Sequence, residues 1–189
     1  MECGCDEVGR GCVAGPVCAA AVILPYDYHN EEINDSKQLT AARREALAET
    51  IRRDAVAWSV QEISERDIDK LNILRASIQC MNNAIGALPI RPDLLLIDGN
   101  KFYDQWKIPY HCIVKGDATY LSIAAASILA KTHRDALMVK LHEEYPMYDW
   151  EHNKGYPSPK QIEAIRQYGR SPYHRKSFHI KQLEQLELF

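Results

Sequence analysis

Two apolar runs joined by a glycine-rich turn open the chain, in the segment Glu2 to Leu24, which reads ECGCDEVGRGCVAGPVCAAAVIL. The composition of these runs predicts a short strand from Glu2 to Asp6 and a second strand from Val13 to Leu24, a run rich in Val, Ala and Ile. Gly9 and Gly11 lie between the runs and predict a turn. The chain therefore starts as part of a β-sheet.

Strands and helices alternate along the rest of the chain, which indicates an α/β layer fold. Thr40 is a suitable N-cap for the first helix. The predicted elements are a helix from Thr40 to about Arg53, a strand from Val56 to Ile63, helical structure from Ser64 to Leu88, strands from Asp93 to Ile97 and Tyr110 to Val114, a long helix from Thr119 to Glu144, and a helix opened by Pro157 and Pro159 that runs to about Tyr168. The long helix can pack closely on the sheet through its small residues, Ala124, Ala125, Ala126 and Ala130.

The composition and the first residues argue against a membrane-spanning protein and against a secreted one. A chain of 189 residues with 46% hydrophobic and 26% charged residues is an ordinary globular domain, and its longest apolar stretch is about half the length of a membrane span. The first residues lack the basic start and apolar run of a secretory signal, so we expect a cytoplasmic protein. A net charge of -3 argues against nucleic-acid binding by bulk charge, so any such contact needs local basic groups.

The six cysteines form no Cys-x-x-Cys pair, and none is spaced from a histidine as in a zinc finger. We therefore expect them to be small buried apolar residues in a reducing compartment, rather than ligands of a structural zinc or partners in disulfides.

Acidic side chains follow three of the predicted strands. Asp6 and Glu7 end the first strand. Asp98 follows the apolar strand Asp93–Ile97, and Asp117 follows the strand Tyr110–Val114. Ligands of open α/β sheets lie beyond the carboxyl ends of the strands, so three separate segments offer carboxylates to one region. Hard oxygen ligands suit Mg²⁺ or Mn²⁺, and two such ions can activate water and stabilise the leaving oxygen in phosphodiester hydrolysis.

Each acidic residue also has an ordinary structural interpretation. Asp98 belongs to an Asp-Gly turn dipeptide, Asp117 can be a helix N-cap, and Asp6 and Glu7 can be solvated turn residues. Adjacent residues of a regular strand face opposite sides, so Asp6 and Glu7 share one site only if the strand ends or twists there, as the glycines that follow allow. The pattern alone thus indicates an α/β domain with a candidate divalent-metal site.

Seven longer strings extend this interpretation, because they resemble, in order, the motifs of the ribonuclease HII family. They are CDEVGRGCVAGPV (5–17), NDSKQL (34–39), IDGN (97–100), KGD (115–117), IAAASILAK (123–131) with Arg134 and Asp135, NKGY (153–156) and HRKSF (174–178). The strings cover the chain from about residue 2 to residue 178.

The resemblance implies a ribonuclease H-like fold, with a mixed central sheet flanked by helices and a helical C-terminal part. It implies a catalytic core at 1–145, a helical substrate-binding part at 146–184 and a tail at 185–189. The catalytic residues and metal ligands would be Asp6, Glu7, Asp98 and Asp117, with Mn²⁺ or Mg²⁺ as cofactor.

The implied activity is that of an endonuclease on RNA–DNA hybrids and on single ribonucleotides in duplex DNA. Water would attack the phosphate on the 5′ side of the ribonucleotide and leave a 3′-hydroxyl and a 5′-phosphate. Such an enzyme removes misincorporated ribonucleotides and RNA primers. The resemblance also implies a monomer.

Residues for substrate recognition follow from the same resemblance. The 2′-hydroxyl, which can donate and accept a hydrogen bond, would be read by the backbone of Gly9, Arg10 and Gly11 and by Tyr156. Tyr156 could otherwise be a packing aromatic in a loop. The basic residues expected to hold phosphates are Lys37, Lys154 and Arg175, with Lys131 and Arg134 as further candidates. A lysine could equally be a solvated surface charge, and we expect Arg134 and Asp135 to form a structural ion pair.

One position departs from the family pattern. Gln161 stands where the family often has a histidine after the Lys-Gly-Tyr motif, so any step assisted by that histidine is in doubt. No carboxylate is lost.

The last five residues resemble the short peptide by which bacterial replication and repair proteins bind the sliding clamp. In this interpretation the partner-binding side chains are Gln185, Leu186, Leu188 and Phe189. The alternative is the apolar face of a final helix, formed by Leu183, Leu186 and Leu188.

Two rival functions remain at this stage. Another nuclease or nucleotidyl transferase of the same fold could use similar carboxylates but has no need of the Gly-Arg-Gly turn with Tyr156. A non-catalytic module that binds nucleic acid or the clamp would not need the carboxylate set.

Overall fold

A five-stranded mixed sheet forms the centre of the computed structural model, which describes residues 1–33 and 39–184. The strands are β1 (Glu2–Val8), β2 (Val17–Ile23), β3 (Ala57–Ile63), β4 (Leu94–Asp98) and β5 (Tyr110–Ile113), in the spatial order β3-β2-β1-β4-β5. Each predicted strand is therefore confirmed within a few residues.

The strand directions bring three carboxyl ends to one edge of the sheet. Strand β1 pairs antiparallel with β2 and parallel with β4, while β4 pairs parallel with β5. Strand β3 pairs antiparallel with β2 at the far side. The ends of β1, β4 and β5 consequently lie side by side, which is the arrangement that the acidic strand ends require.

Helices cover both faces of the sheet. They are α1 (Ala41–Asp54), α2 (Glu65–Leu71), α3 (Ile73–Gly86), α4 (Leu121–Glu144), α5 (Trp150–Asn153), α6 (Pro159–Tyr168) and α7 (Lys181–Glu184). One face packs against α3, and the other packs against α1 and α4. Every residue of β2 is buried because both faces of this strand are covered.

Small side chains allow α4 to lie close to the sheet, as expected. Ala124, Ala125, Ala126 and Ala130 are all fully buried. A Cβ atom on Gly4 of β1 would come within 2.1 Å of the Ser122 carbonyl carbon, so only glycine permits this approach.

The helix boundaries follow local chemistry. Thr40 caps α1 as predicted, with its hydroxyl accepting from the backbone N–H of Arg43. The helical stretch predicted from Ser64 to Leu88 is broken at Asn72, which has a φ of 68° and caps α3 through its own side chain. Asn tolerates this left-handed backbone better than most residues, so it ends one helix and starts the next.

The C-terminal part forms its own core over α4 and the turn after β1. Trp150 and Tyr148 stack at its centre, with ring centroids 5.1 Å apart, and Val13, Ala14 and Met138 join the same cluster. Within the described ranges, no helix combines the length and apolar character needed to cross a membrane. The predicted sites at Lys37 and in the tail 185–189 lie outside the described residues.

Candidate active site

The four predicted carboxylates line one cavity of about 380 Å³ at the shared edge of β1, β4 and β5. Asp6 and Glu7 come from β1, Asp98 from the last position of β4, and Asp117 from the turn after β5. The structure thus brings together residues that are more than 100 positions apart in the chain.

Asp6 and Glu7 border the same cavity although they are neighbours on a strand. The strand continues to Val8, so it does not end at Asp6 as expected. Asp6 accepts a hydrogen bond from the backbone N–H of Glu7 at 2.7 Å, which turns its carboxylate toward the next residue. Gly9 then reverses the chain with a φ of +96°.

Asp98 and Asp117 are linked by the loop between them. Asp98 Oδ1 accepts from the backbone N–H of Gly116 at 2.8 Å, which ties the end of β4 to the loop after β5. Lys115 has a left-handed backbone, and the short 3₁₀ turn Gly116–Ala118 then presents Asp117, which is buried. Asp117 is therefore part of this turn and not the N-cap of α4, which is Tyr120.

Burial and mutual repulsion act on the carboxylates. The pKa of Asp6 lies well above its usual range, first because of burial and then because of the charges on Glu7 and Asp98. Burial also raises the pKa of Glu7, although the nearby Arg10 opposes this rise. Gathered carboxylates of this kind are costly without a cation, so the cavity favours cation binding.

The donor set fits a hard divalent cation. All four candidate ligands are carboxylates, which Mg²⁺ and Mn²⁺ prefer, and the cavity has room for the waters that these ions keep. Among the described residues, two other sets of three side chains have their ligand atoms within 4.8 Å of one another. One is Cys18, Glu62 and His133, and the other is Asp149, Glu151 and His152. No three of the four carboxylates lie this close to one another.

Two basic residues and a serine complete the cavity wall. Arg44 and Lys131 both line the cavity, and both form ion pairs with Asp135. Ser127 lines the cavity, and its hydroxyl opposes part of the rise in the pKa of Asp6 that burial causes. Neither Arg44 nor Ser127 is among the site residues predicted from the sequence. Ser127 lies inside a quoted motif, whereas nothing in the sequence of α1 marks Arg44.

The Gly-Arg-Gly turn lies beside Tyr156. A Cβ atom on Gly11 would be 3.7 Å from Cε1 of the tyrosine ring, which also lines the carboxylate cavity and remains 44% exposed. The Cys12 thiol, next to Gly11, donates to the carbonyl oxygen of Lys154 at 3.6 Å. The side chain of Arg10 forms an ion pair with Glu7 at 3.3 Å. The residues proposed to read a ribose therefore stand next to the carboxylates.

Two buried arginines hold the chain from the Gly-Arg-Gly turn to Pro16 from inside. Arg134 donates to the carbonyl oxygens of Pro16, Lys154 and Ala14 at 2.9, 2.7 and 3.0 Å. The expected ion pair between Arg134 and Asp135 is wrong, because Asp135 pairs with Arg44 and Lys131 instead. A Cβ atom on Gly9 would lie 2.3 Å from Nε of Arg134, so this close contact requires glycine.

Arg175 has a similar structural position. It is fully buried and donates to the carbonyl oxygens of Gly15, Arg10 and Pro16 at 2.9, 3.2 and 3.1 Å. Burial lowers its pKa to about 10. With no exposed surface, its guanidinium is not offered to a phosphate in this structure, and its hydrogen bonds shape the Gly-Arg-Gly turn.

Lys154 and Gln161 support the same region from the other side. Lys154 is half-buried, and its ammonium donates to the carbonyl oxygen of Glu151, away from the carboxylate cavity. Gln161 is fully buried, accepts from the indole N–H of Trp150 at 2.6 Å and donates to the carbonyl oxygen of Tyr156. Gln161 therefore positions the backbone of Tyr156 and does not face the carboxylates.

The family model and the most similar curated sequences carry the same family name. The family model described as Ribonuclease HII matches residues 3–181. Ribonuclease HII of Bacteroides fragilis is 59% identical over the whole chain and 94% of its own length. Ribonuclease HII of Porphyromonas gingivalis is 57% identical, over 94% of this chain and 88% of its own length.

Solved structures show the same architecture. Ribonuclease H2 of Pyrococcus horikoshii matches with a TM-score of 0.81 and 26% identity, covering 98% of this chain and 96% of that one. Ribonuclease HII of Archaeoglobus fulgidus, solved in complex with PCNA, matches with a TM-score of 0.81 and 25% identity, covering 96% of each chain. The predicted ribonuclease H-like fold with a helical C-terminal part is confirmed. The chain belongs to the ribonuclease HII family and is a ribonuclease H hydrolase.

Proposed function

We propose that the protein is an endonuclease that hydrolyses the phosphodiester on the 5′ side of ribonucleotides, both in RNA–DNA hybrids and at single ribonucleotides in duplex DNA. The products would be a 3′-hydroxyl and a 5′-phosphate, and the role would be removal of misincorporated ribonucleotides and RNA primers. The observation that carries the proposal is the single cavity lined by four carboxylates and by Tyr156.

Asp6, Glu7, Asp98 and Asp117 would hold the Mn²⁺ or Mg²⁺ on which enzymes of this family depend. When bound, the ions lower the pKa of water and stabilise charge on the leaving oxygen. The protein's own part is to fix the carboxylates: Asp98 through the N–H of Gly116, and Asp6 through the N–H of Glu7. Oriented ligands on rigid strand ends keep the scissile phosphate in place during attack.

Arg44 and Lys131 are the basic residues best placed to hold the phosphate. Both reach the cavity wall, and Asp135 fixes their positions from behind. Burial lowers the pKa of Lys131, and the charge on Asp135 counteracts this. Lys131 is one of the phosphate-binding candidates predicted from the sequence, Arg175 is fully buried, and Lys37 lies outside the described residues.

Ribose discrimination would come from the turn at 9–11 and from Tyr156. Glycine at position 11 leaves the backbone open beside the tyrosine ring, which packs against Gly11 with 44% of its surface exposed. The polar backbone groups of the turn can hydrogen-bond the 2′-hydroxyl, which a DNA strand lacks. The same cavity edge therefore reads the sugar and positions the adjacent phosphate.

The test of this site is cleavage of a labelled duplex with one ribonucleotide by the parent protein, by Asp98→Asn and by Asp27→Asn, an exposed acidic control. We expect Asp98→Asn to lose more than about 10³-fold in rate, since it removes a ligand in the charge-stabilising set. The control should match the parent. Equal cleavage by parent and Asp98→Asn would refute the assignment of the site.

We also propose that the tail at 185–189 binds the bacterial sliding clamp. The support is the sequence QLELF at the chain end, together with the PCNA complex formed by the Archaeoglobus fulgidus relative. Deletion of 185–189 should abolish clamp binding in a titration and leave cleavage of a short duplex unchanged. Unchanged clamp affinity would exclude this role. Light scattering of the same samples tests the expected monomer.

A further inference from the structure

A second set of metal-ligating side chains lies outside the carboxylate cavity. Cys18 on β2, Glu62 on β3 and His133 on α4 bring a sulfur, a carboxylate oxygen and a ring nitrogen within 4.8 Å of one another. None of the three lines the cavity of the four carboxylates. Three elements that are far apart in sequence thus supply one compact donor set.

The sheet register explains why these groups meet. Cys18 and Glu62 are direct partners across β2 and β3, so their side chains leave the sheet on the same face. Helix α4 packs on this face, over Ala20 and Val22. His133 on α4 then places Nε2 3.1 Å from a carboxylate oxygen of Glu62.

The site is open to solvent on one side and closed on the other. The side chains of Glu62 and His133 are 48% and 40% exposed, whereas Cys18 is fully buried beneath them. An ion can therefore enter past the carboxylate and the imidazole and reach the thiol. All three ligands are carried by helix or strand positions, which hold a coordination geometry better than loops do.

The donor chemistry differs from that of the carboxylate cavity. A thiolate, an imidazole and a carboxylate suit a borderline-soft ion such as Zn²⁺, which takes four ligands in a tetrahedron and accepts water as the fourth. Mg²⁺ prefers oxygen ligands alone. Burial raises the pKa of Cys18 to about 12, so the thiol keeps its proton until a cation displaces it.

We propose that Cys18, Glu62 and His133 form a binding site for a thiophilic divalent cation of the zinc class, with water as the fourth ligand. A bound ion would link β2, β3 and α4 and so stabilise the sheet against the helix that carries Ser127 and Lys131. The other compact set, at Asp149, Glu151 and His152, lacks a soft ligand, and Asp149 is already paired with Lys160.

The test is a Co²⁺ titration of the full chain in excess Mg²⁺, which occupies the carboxylate cavity. A thiolate-to-cobalt charge-transfer band should appear and should be removed by Zn²⁺. His133→Gln, at an exposed position, should weaken Co²⁺ binding at least about tenfold, because it removes a direct ligand. Cys18→Ser should abolish the band.

Two matched controls identify the ligands. His111→Gln removes another exposed histidine, and Cys112→Ser removes the exposed thiol, so both should bind Co²⁺ like the parent. The absence of a band in the parent protein, or its persistence with unchanged affinity in His133→Gln, would overturn the proposal. Loss of the band in Cys112→Ser would also overturn it, by assigning the ion to the surface thiol. A thiolate band arises only where a cysteine ligates the ion, and no cysteine lines the carboxylate cavity, so the readout does not depend on the proposed function.

Discussion

Replacing Arg134 with methionine should destabilise the protein strongly, because this buried guanidinium ties the segment 14–16, which follows the Gly-Arg-Gly turn, to the Lys-Gly-Tyr loop. Its three hydrogen bonds, at 2.7 to 3.0 Å, end on the carbonyl oxygens of Ala14, Pro16 and Lys154. Methionine retains the apolar length of the side chain and removes all three donors.

The magnitude follows from the hydrogen bonds and the burial. Three bonds from a charged donor contribute about 4.5–9 kcal/mol in total, at about 1.5–3 kcal/mol each. Removing a fully buried charge recovers several kcal/mol of desolvation, so the net loss in free energy of unfolding should be ~3 kcal/mol. For a chain of this length, that loss corresponds to a fall in Tm of about 6–12 °C.

The assay is thermal and urea unfolding of the metal-free protein, with Arg53→Met as the control. Arg53 is an exposed residue paired with Asp54, so its loss should cost less than about 0.5 kcal/mol. Cleavage should fall in Arg134→Met as well, measured well below its Tm, because Gly9 of the turn at 9–11 loses the guanidinium against which it packs. A Tm for Arg134→Met equal to that of Arg53→Met would refute the structural role of the guanidinium.

Three further changes test the site. The pKa of Asp6 is raised in the folded state, so the free energy of unfolding of the metal-free protein should fall as pH rises above the unfolded pKa of about 3.9. Thermal scans across pH in chelator should show that Asp6→Asn reduces that fall and raises Tm at pH 7 by about 2–4 °C. No gain at pH 7 would contradict the burial argument. Tyr156→Ala should lower kcat/KM on a single-ribonucleotide duplex about tenfold, or ~1.4 kcal/mol, whereas Tyr156→Phe should retain the ring and most of the activity. Equal losses in the two variants would assign ribose recognition to the hydroxyl instead of the ring. Gln161→Leu leaves the Trp150 indole N–H and the Tyr156 carbonyl unpaired, and each unpaired group should cost about 1–3 kcal/mol of stability, so Tm should drop. Mn²⁺ binding to the carboxylates, measured by calorimetry, should be unchanged. Weaker Mn²⁺ binding would instead place Gln161 in the metal site.

The carboxylate cluster could be predicted because strand ends follow a general rule. Asp98 and Asp117 follow strands whose apolar sequences are readable, and parallel pairing of β1, β4 and β5 brings those ends together. The convergence of Asp6 and Glu7 was harder to foresee, since it depends on the local hydrogen bond between them and on the turn at Gly9.

The supporting residues could not be identified in the same way. Arg134 and Arg175 bond backbone carbonyls, and a backbone partner leaves no pattern in the sequence, so both were expected to bind charged groups. Arg44 reaches the cavity only because α1 packs beside α4, which is a tertiary contact. Asn72 ends a helix through its backbone conformation, where the apolar pattern continues without a break.

The most direct test of the central claim is the cut position in a labelled DNA duplex that contains one ribonucleotide, with Mg²⁺ or Mn²⁺ and an all-DNA duplex as control. We expect a single cut immediately 5′ of the ribonucleotide, with a 3′-hydroxyl and a 5′-phosphate, and an intact control. Cleavage of both duplexes would contradict ribose recognition by the turn at 9–11 and Tyr156. Binding to either duplex without cleavage would contradict the catalytic role of the four carboxylates.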